Sequence, residues 1–234
     1  MHAKKIIEEL KTFANSERKK TNEWFFKTGP GEYSEHDQFM GVRVPHTRQV
    51  AKKHFKNADF STLDKLIQHP IHEVRHCGLI ILVNQYNSGK QQAVFDYYLN
   101  NIYAVNNWDL VDTTTPQIIG DYLIHHPENL SLLSTYAQSN NLWKRRIAIV
   151  ATFTFIKHNN FQPTLDIGKA LLNDQHDLIH KAIGWMLREI YKKNQEVAKH
   201  FLRENYAQLP RTTLRYAIER MAENERQMYL KGSF

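Results

Sequence analysis

Asp112 stands where a carboxylate is not expected. Five segments of the chain can be laid over one another: PIHEVRHCGLII, NNWDLVDTTTPQ, NNLWKRRIAIVA, QHDLIHKAIGWM and PRTTLRYAIERM. The aligned position is Arg75, Asp112, Arg146, Lys181 and Arg215, in steps of 37, 34, 35 and 34 residues. Four of these are cations and one is an anion. A lone carboxylate in a basic column can stabilise a developing positive charge or orient and activate a water. Trp108 lies four residues before Asp112, and Trp185 four after Lys181. Those spacings place each indole on the helix face of its column residue. Indole faces attract cations at about 0.5–2 kcal/mol per contact, and Arg146 can hold a phosphate bidentately. One carboxylate, two indoles and a guanidinium beside a polyanion would suit N-glycosidic cleavage through an oxocarbenium-like sugar, with a base that is already cationic as leaving group.

Structural explanations compete with some of these assignments. A carboxylate in a first helical turn is an ordinary partner of the helix dipole, and Asp109 fits that supporting or capping role. Asp112 is one turn further in. Tryptophans at helical spacing are more often core than platform, which is the expectation for Trp24 and Trp143.

The elements that must carry these residues read as helices nearly throughout. Ile6, Ile7, Leu10 and Phe13 make one apolar face; Leu79, Ile80, Leu82, Val83 and Tyr86 make another. Ile118, Ile119, Tyr122 and Leu123 form a third, and Ile183, Met186, Leu187 and Ile190 a fourth. No stretch alternates long enough for a sheet. With nine glycines and seven prolines, the chain reads as about a dozen helices joined by short turns. Ser61 is the expected N-cap before TLDKLIQ, and Pro70 stops that helix. His126-Pro127 ends another, and Pro163 and Pro210 lie near helix starts. A two-helix unit of 34–37 residues without the tetratricopeptide signature predicts HEAT-like repeats. The expectation is an all-α, HEAT-like solenoid, residues 1–234 forming one repeat domain, with the column along a concave basic groove. Lys27 to Met40, KTGPGEYSEHDQFM, is the least regular stretch and reads as a loop. Its Tyr33 could approach a ligand in the groove.

The 234 residues suffice for a substantial core, and 41% hydrophobic with 24% charged residues is ordinary for a globular protein. A net charge of +7 suggests a polyanionic partner, nucleic acid first. The one cysteine, Cys77, cannot form an intramolecular disulfide, which fits a reducing cytoplasm. No apolar run approaches a membrane span, and the charged N-terminus lacks a signal-peptide core.

His72-Glu73-Val74-Arg75-His76 matches H-E-x-x-H, which on a helix can place two histidines on zinc with Glu as base. A zinc hydrolase is therefore one alternative. Against it, Arg75 falls in register with the repeat, a cation inside the motif opposes a metal, and no clear third-ligand motif follows. A helix-surface histidine pair is the expectation, and no metal site. His176 and His180 read the same way.

FKTGPGEY, FMGVRVPHTRQVAK, HEVRHCGLIILVNQY, NNWDLVDTTTPQIIGDYL, LWKRRIAIV and KAIGWMLREIYKKN occur in this order over nearly the whole chain. In these segments the sequence resembles the AlkD-type DNA alkylation repair family of HEAT-repeat DNA glycosylases. The resemblance implies removal of N3- and N7-alkylated purines, such as 3-methyladenine and 7-methylguanine, from duplex DNA without a metal or organic cofactor. It implies Asp112 as the catalytic carboxylate, Trp108 and Trp185 as its tryptophans, Arg146 as its arginine, and Arg48, in VPHTRQ, near the DNA backbone. Arg75, Arg145, Lys181, Arg215 and Tyr33 complete the expected DNA-binding set. Asn106-Asn107 precedes Trp108 where some members carry a further aromatic. The expected protein is a cytoplasmic monomer acting in base excision repair, associated with the nucleoid when bound to DNA. A HEAT scaffold that binds DNA without catalysis is the other alternative, and it would not need a carboxylate at Asp112.

Overall fold

The computed structural model describes residues 2–234. It is all-helical, without strands among the described residues, and its helices pack in a repeat-like arrangement. A single isolated bridge pairs Gln38 with Ile71. The chain forms two compact units, Met1–Thr114 and Thr115–Phe234.

In unit 1, α1 (His2–Lys11) packs on α3 (Val44–His54) and α4 (Phe60–Ile67), and both of these pack on α5 (His72–Asn87). Ile6, Leu10, Val50, Leu63, Leu66, Ile67, Val74 and Ile81 are withdrawn from water, each contributing roughly 1.5–3 kcal/mol. Helix α5 is buried on nearly every side, as expected of a helix that is apolar all round. Gly78 lets it approach α4: a Cβ there would lie 2.8 Å from Leu66 Cβ. Helix α2 (Ser16–Phe25), SERKKTNEWF, is polar all round and buries none of its residues. Trp24 is consequently 74% exposed, which corrects its expected place in the core. Helix α6 (Gln91–Asn100) follows, and α7 (Trp108–Thr115) closes the unit.

In unit 2, a π turn (Pro116–Gly120) leads into α8 (Asp121–His125). Helix α10 (Leu142–Lys157) packs against α9 (Ser131–Ala137), α11 (Gln162–Ala170) and α12 (Asp177–Lys193). Helix α12 in turn packs on α13 (Gln195–Asn205) and α14 (Arg211–Ala217), and α15 (Glu223–Lys231) covers α14. Ile147, Ile149, Val150, Ile183, Met186, Leu187, Leu202 and Leu214 fill the core.

Local sequence explains the helix boundaries. Asn15, Asp59, Asn141 and Asn194 cap α2, α4, α10 and α13 by accepting from backbone N–H groups of the first turn. Asp59, not Ser61, therefore caps the helix that precedes Pro70, because its carboxylate reaches Thr62 N at 2.8 Å. Pro163 lies in the first turn of α11, and Pro210 directly precedes α14. The repeat register is visible in the helices. Arg75 is the fourth residue of α5, while Asp112, Arg146, Lys181 and Arg215 are each fifth in α7, α10, α12 and α14. The column thus occupies the same early turn of five helices.

Candidate functional site

Unit 1 carries Trp108 and Asp112 on consecutive turns of α7. Both are half-buried. The Trp108 ring lies parallel to Phe26, with centroids 5.3 Å apart and planes 13° apart, and Phe25 meets it edge-on at 5.8 Å. Phe26 also stacks on Phe39, which stacks on His72 at 4.8 Å. Phe25 is 54% exposed, so the stack runs from buried His72 to an aromatic surface beside the indole.

A buried polar network fixes the start of α7. Asn107 is fully buried, and its Oδ1 accepts from Trp108 N at 2.8 Å. Its Nδ2 donates to Ser34 Oγ at 2.7 Å and to Asp37 Oδ2 at 2.9 Å. His72 lies between two carboxylates, Nδ1 at 3.2 Å from Asp37 and Nε2 at 2.8 Å from Asp109. Burial opposes charge on His72, but Asp109 and Asp37 outweigh it and push the imidazole up to about 9. Burial also works against the two carboxylates, and the His72 imidazolium overcomes it, holding both below their ordinary range. His72 is therefore a doubly protonated cation linking the 27–40 loop to α7. Leu110 N donates to Asp109 Oδ1 at 2.9 Å.

This network replaces the expected surface histidine pair and engages the side chains that the zinc reading would need. His72, Glu73, Arg75 and His76 are all buried. Both ring nitrogens of His72 face carboxylates. Glu73 accepts from the backbone N–H groups of Met40, Gly41 and Val42 at 2.8–3.2 Å, so it clamps the chain instead of serving as a base. Gly41 is required there: it has φ +81°, and a Cβ would lie 2.1 Å from Asn15 O. Among the described residues no group of three or more His, Cys, Asp or Glu side chains is placed to hold a metal ion.

Arg75 does not stand on an exposed basic stripe. Its NH2 group meets Asp37 Oδ1 at 2.5 Å and its NH1 donates to the carbonyls of His69 and Pro70, so the guanidinium is engaged within unit 1 and not available to a phosphate. Arg48 is exposed on α3, and Tyr33 is half-buried in the irregular loop. Burial pushes the Cys77 thiol up to about 12, which makes it inert.

Unit 2 carries the remaining expected residues. Arg146 is buried and donates to the Leu178 carbonyl at 2.5 Å. Arg145 is paired with Asp174 at 2.5 Å and caps the carbonyls of Ser139 and Asn140. That pairing occupies most of its fork and gives it a structural duty. Lys181 meets Asp177 at 2.6 Å, and Arg215 is exposed. Trp185 is half-buried, 5.6 Å from Phe153. Its neighbour Gly184 permits the close crossing of α12 and α14, since a Cβ there would lie 2.6 Å from Thr213 O. His176 caps α12 through its own ring, and His180 contacts the Asp174 carbonyl at 2.5 Å; both serve the helix start.

The residues that sequence reasoning missed are Asp37, His72, Asn107, Phe25 and Phe26. The H-E-x-x-H pattern did signal His72 and Glu73, but pointed to metal chemistry where the fold uses a buried ion network.

A solved structure described as a predicted DNA alkylation repair enzyme from Enterococcus faecalis shares this fold. Its TM-score is 0.68 at 18% identity, covering 90% of this chain and 97% of that one. No curated protein matches the chain. The model of the DNA alkylation repair enzyme family matches residues 6–221, and the chain belongs to that family.

Proposed function

We propose that the chain is a DNA glycosylase that hydrolyses the N-glycosidic bond of cationic alkylated purines, such as 7-methylguanine and 3-methyladenine, in duplex DNA. The observation that carries this reading is Asp112. It occupies a position that is cationic in four other helices, on a helix whose start is fixed by buried, charged hydrogen bonds.

The chemistry needs little more than placement and charge. The C1′–N bond breaks with its electron pair going to the base, which neutralises the positive charge of the alkylated ring. The sugar is left with oxocarbenium character. Asp112 stabilises that cation, and an attacking water gives its oxygen to C1′ and its proton to the carboxylate or to solvent. The leaving group is already cationic, so no strong general acid is called for. Trp108, stiffened by its stack on Phe26, offers a π face toward the lesion or sugar. From unit 2, Trp185 is assigned a second indole face and Lys181 a cationic role toward the DNA, while Arg146, buried and bonded to the Leu178 carbonyl, is assigned to holding the start of α12. Arg48 and Arg215, both exposed, are assigned to phosphates.

The test is release of 7-methylguanine from methylated duplex DNA by the wild type and by Asp112→Asn, with duplex binding measured in parallel. Loss of release with binding retained supports the assignment. Equal release by the two proteins removes Asp112 from the chemistry and leaves a DNA-binding scaffold.

A further inference from the structure

Trp24 stands outside the core. It is 74% exposed near the C-terminal end of α2, a helix that buries none of its residues. Single exposed apolar side chains are ordinary, but this one opens a series. Phe25 beside it is 54% exposed and meets Trp108 edge-on at 5.8 Å, and Phe26 stacks on the same indole at 5.3 Å. Three consecutive aromatics within unit 1 therefore lead from open solvent to the tryptophan one turn before Asp112.

The surroundings of Trp24 are basic. Lys20 lies one turn before it on the same face of α2, and Lys27 Nζ stands over the ring, 5.8 Å from its centroid. Both lysines are exposed. Residues 16–27 carry four cations, Arg18, Lys19, Lys20 and Lys27, against two carboxylates, Glu17 and Glu23. Glu23 is paired with Lys19 at 3.8 Å, and Glu32 approaches Lys27 only to 4.0 Å. Exposed pairs of this kind hold a lysine weakly, so a polyanion can displace them.

An indole flanked by lysines suits a polyanion that also offers flat rings, with phosphates on the cations and a base on the exposed ring. Trp24 and Phe25 together expose roughly 300 Å² of ring, short of the roughly 450 Å² of apolar surface that each side of a stable protein interface contributes, but ample for one base. Bases inside a duplex are already stacked on one another, so the fitting partner is a strand with an unstacked base. We propose that Trp24 is a stacking platform for an unpaired base of DNA, with Lys20 and Lys27 on the phosphates that flank it. The inference deepens the proposed function and rests on it for DNA as the polyanion. Trp24 itself takes no part in the base-release chemistry.

The experiment follows binding of the full chain, by fluorescence anisotropy, to a labelled strand of about twelve thymidines, to the same sugar-phosphate strand without bases, and to a duplex of equal length. Saturable binding of the thymidine strand is expected, with the baseless strand about five-fold or more weaker. Trp24→Ala should bind the thymidine strand as weakly as the wild type binds the baseless one, Trp24→Phe should restore part of the difference, and duplex affinity should stay within about two-fold. Lys20→Ala and Lys27→Ala should each lower the salt slope on the thymidine strand by about 0.7. All these positions are exposed, and circular dichroism confirms that the variants fold. Equal binding of the two strands by the wild type, or undiminished strand binding by Trp24→Ala, overturns the proposal. Self-association that depends on Trp24, seen by sedimentation without strand binding, overturns it in favour of a second copy of the chain. Base release without Trp24-dependent strand binding defeats this inference alone; Trp24-dependent strand binding without base release defeats the glycosylase reading alone.

Discussion

Replacing His72 by Phe tests the buried network that holds α7. Phenylalanine preserves the stack with Phe26 and Phe39 and removes only the charge and the two hydrogen bonds. The variant leaves Asp37 and Asp109 as buried carboxylates without their shared cation; Asp37 retains Arg75 and Asn107, whereas Asp109 keeps only the Leu110 N–H and a distant neutral His76. Breaking a buried pair in this way costs about 3–5 kcal/mol. The pH dependence gives an independent figure. A histidine raised from 6.5 to about 9 contributes roughly 3 kcal/mol, at about 1.4 kcal/mol per pH unit. That stabilisation is fully present below pH 6.5 and is lost as the pH climbs through 9. His76, pushed down to about 4, acts in the opposite sense: its contribution is present above 6.5 and is lost as the pH falls toward 4. Wild-type stability should therefore peak near neutrality, about pH 6–7. In His72→Phe the alkaline decline should vanish while the acid decline persists. The assay is urea unfolding at pH 5, 6.5, 8 and 9.5, followed by helical circular dichroism. A loss under about 1 kcal/mol at pH 6.5, with the alkaline slope unchanged, would refute the charged-bridge assignment.

Other outcomes follow from single contacts. Gly184→Ala forces a methyl against Thr213 O and Tyr216 Cβ, both within 2.6 Å of its position. It should cost about 1–3 kcal/mol by overpacking, read as a lower urea midpoint at unchanged slope. Arg48→Ala, on an exposed face of α3, should weaken duplex binding and reduce the salt slope by about one; an unchanged slope takes Arg48 off the phosphates. Trp108→Ala, which removes the ring stacked on Phe26, should slow base release about ten-fold or more, measured under single-turnover conditions, with Trp108→Phe retaining most of it.

Helix class and repeat register were legible in the sequence because they rest on local signals. Apolar spacing, prolines at helix starts and the 34–37-residue steps all act within one or two turns. The column position is early in its helix in all five cases. What the sequence hid were long-range pairings. Asp37 and Arg75 are 38 residues apart, and His72 and Asp109 are 37 apart. A charge in a repeat column looks identical in sequence whether it faces solvent, like Arg215, or is closed inside, like Arg75. Trp24 was misplaced for a related reason: its ring suggested core, but its helix has no apolar face to carry it there. H-E-x-x-H names residue types at a spacing, and only the fold reveals that Glu73 is taken by backbone amides and His72 by carboxylates.

The central claim concerns Asp112, and the most direct measurement is single-turnover release of 7-methylguanine from methylated duplex DNA by wild type and Asp112→Asn. The amide keeps the side chain's size and removes its charge, so folding and duplex affinity should stay within about three-fold. Release should fall about 10²–10³-fold, the usual loss when one preorganised electrostatic partner of a transition state is removed. Release by Asp112→Asn within two-fold of wild type, at about equal binding, would contradict a catalytic carboxylate at this position.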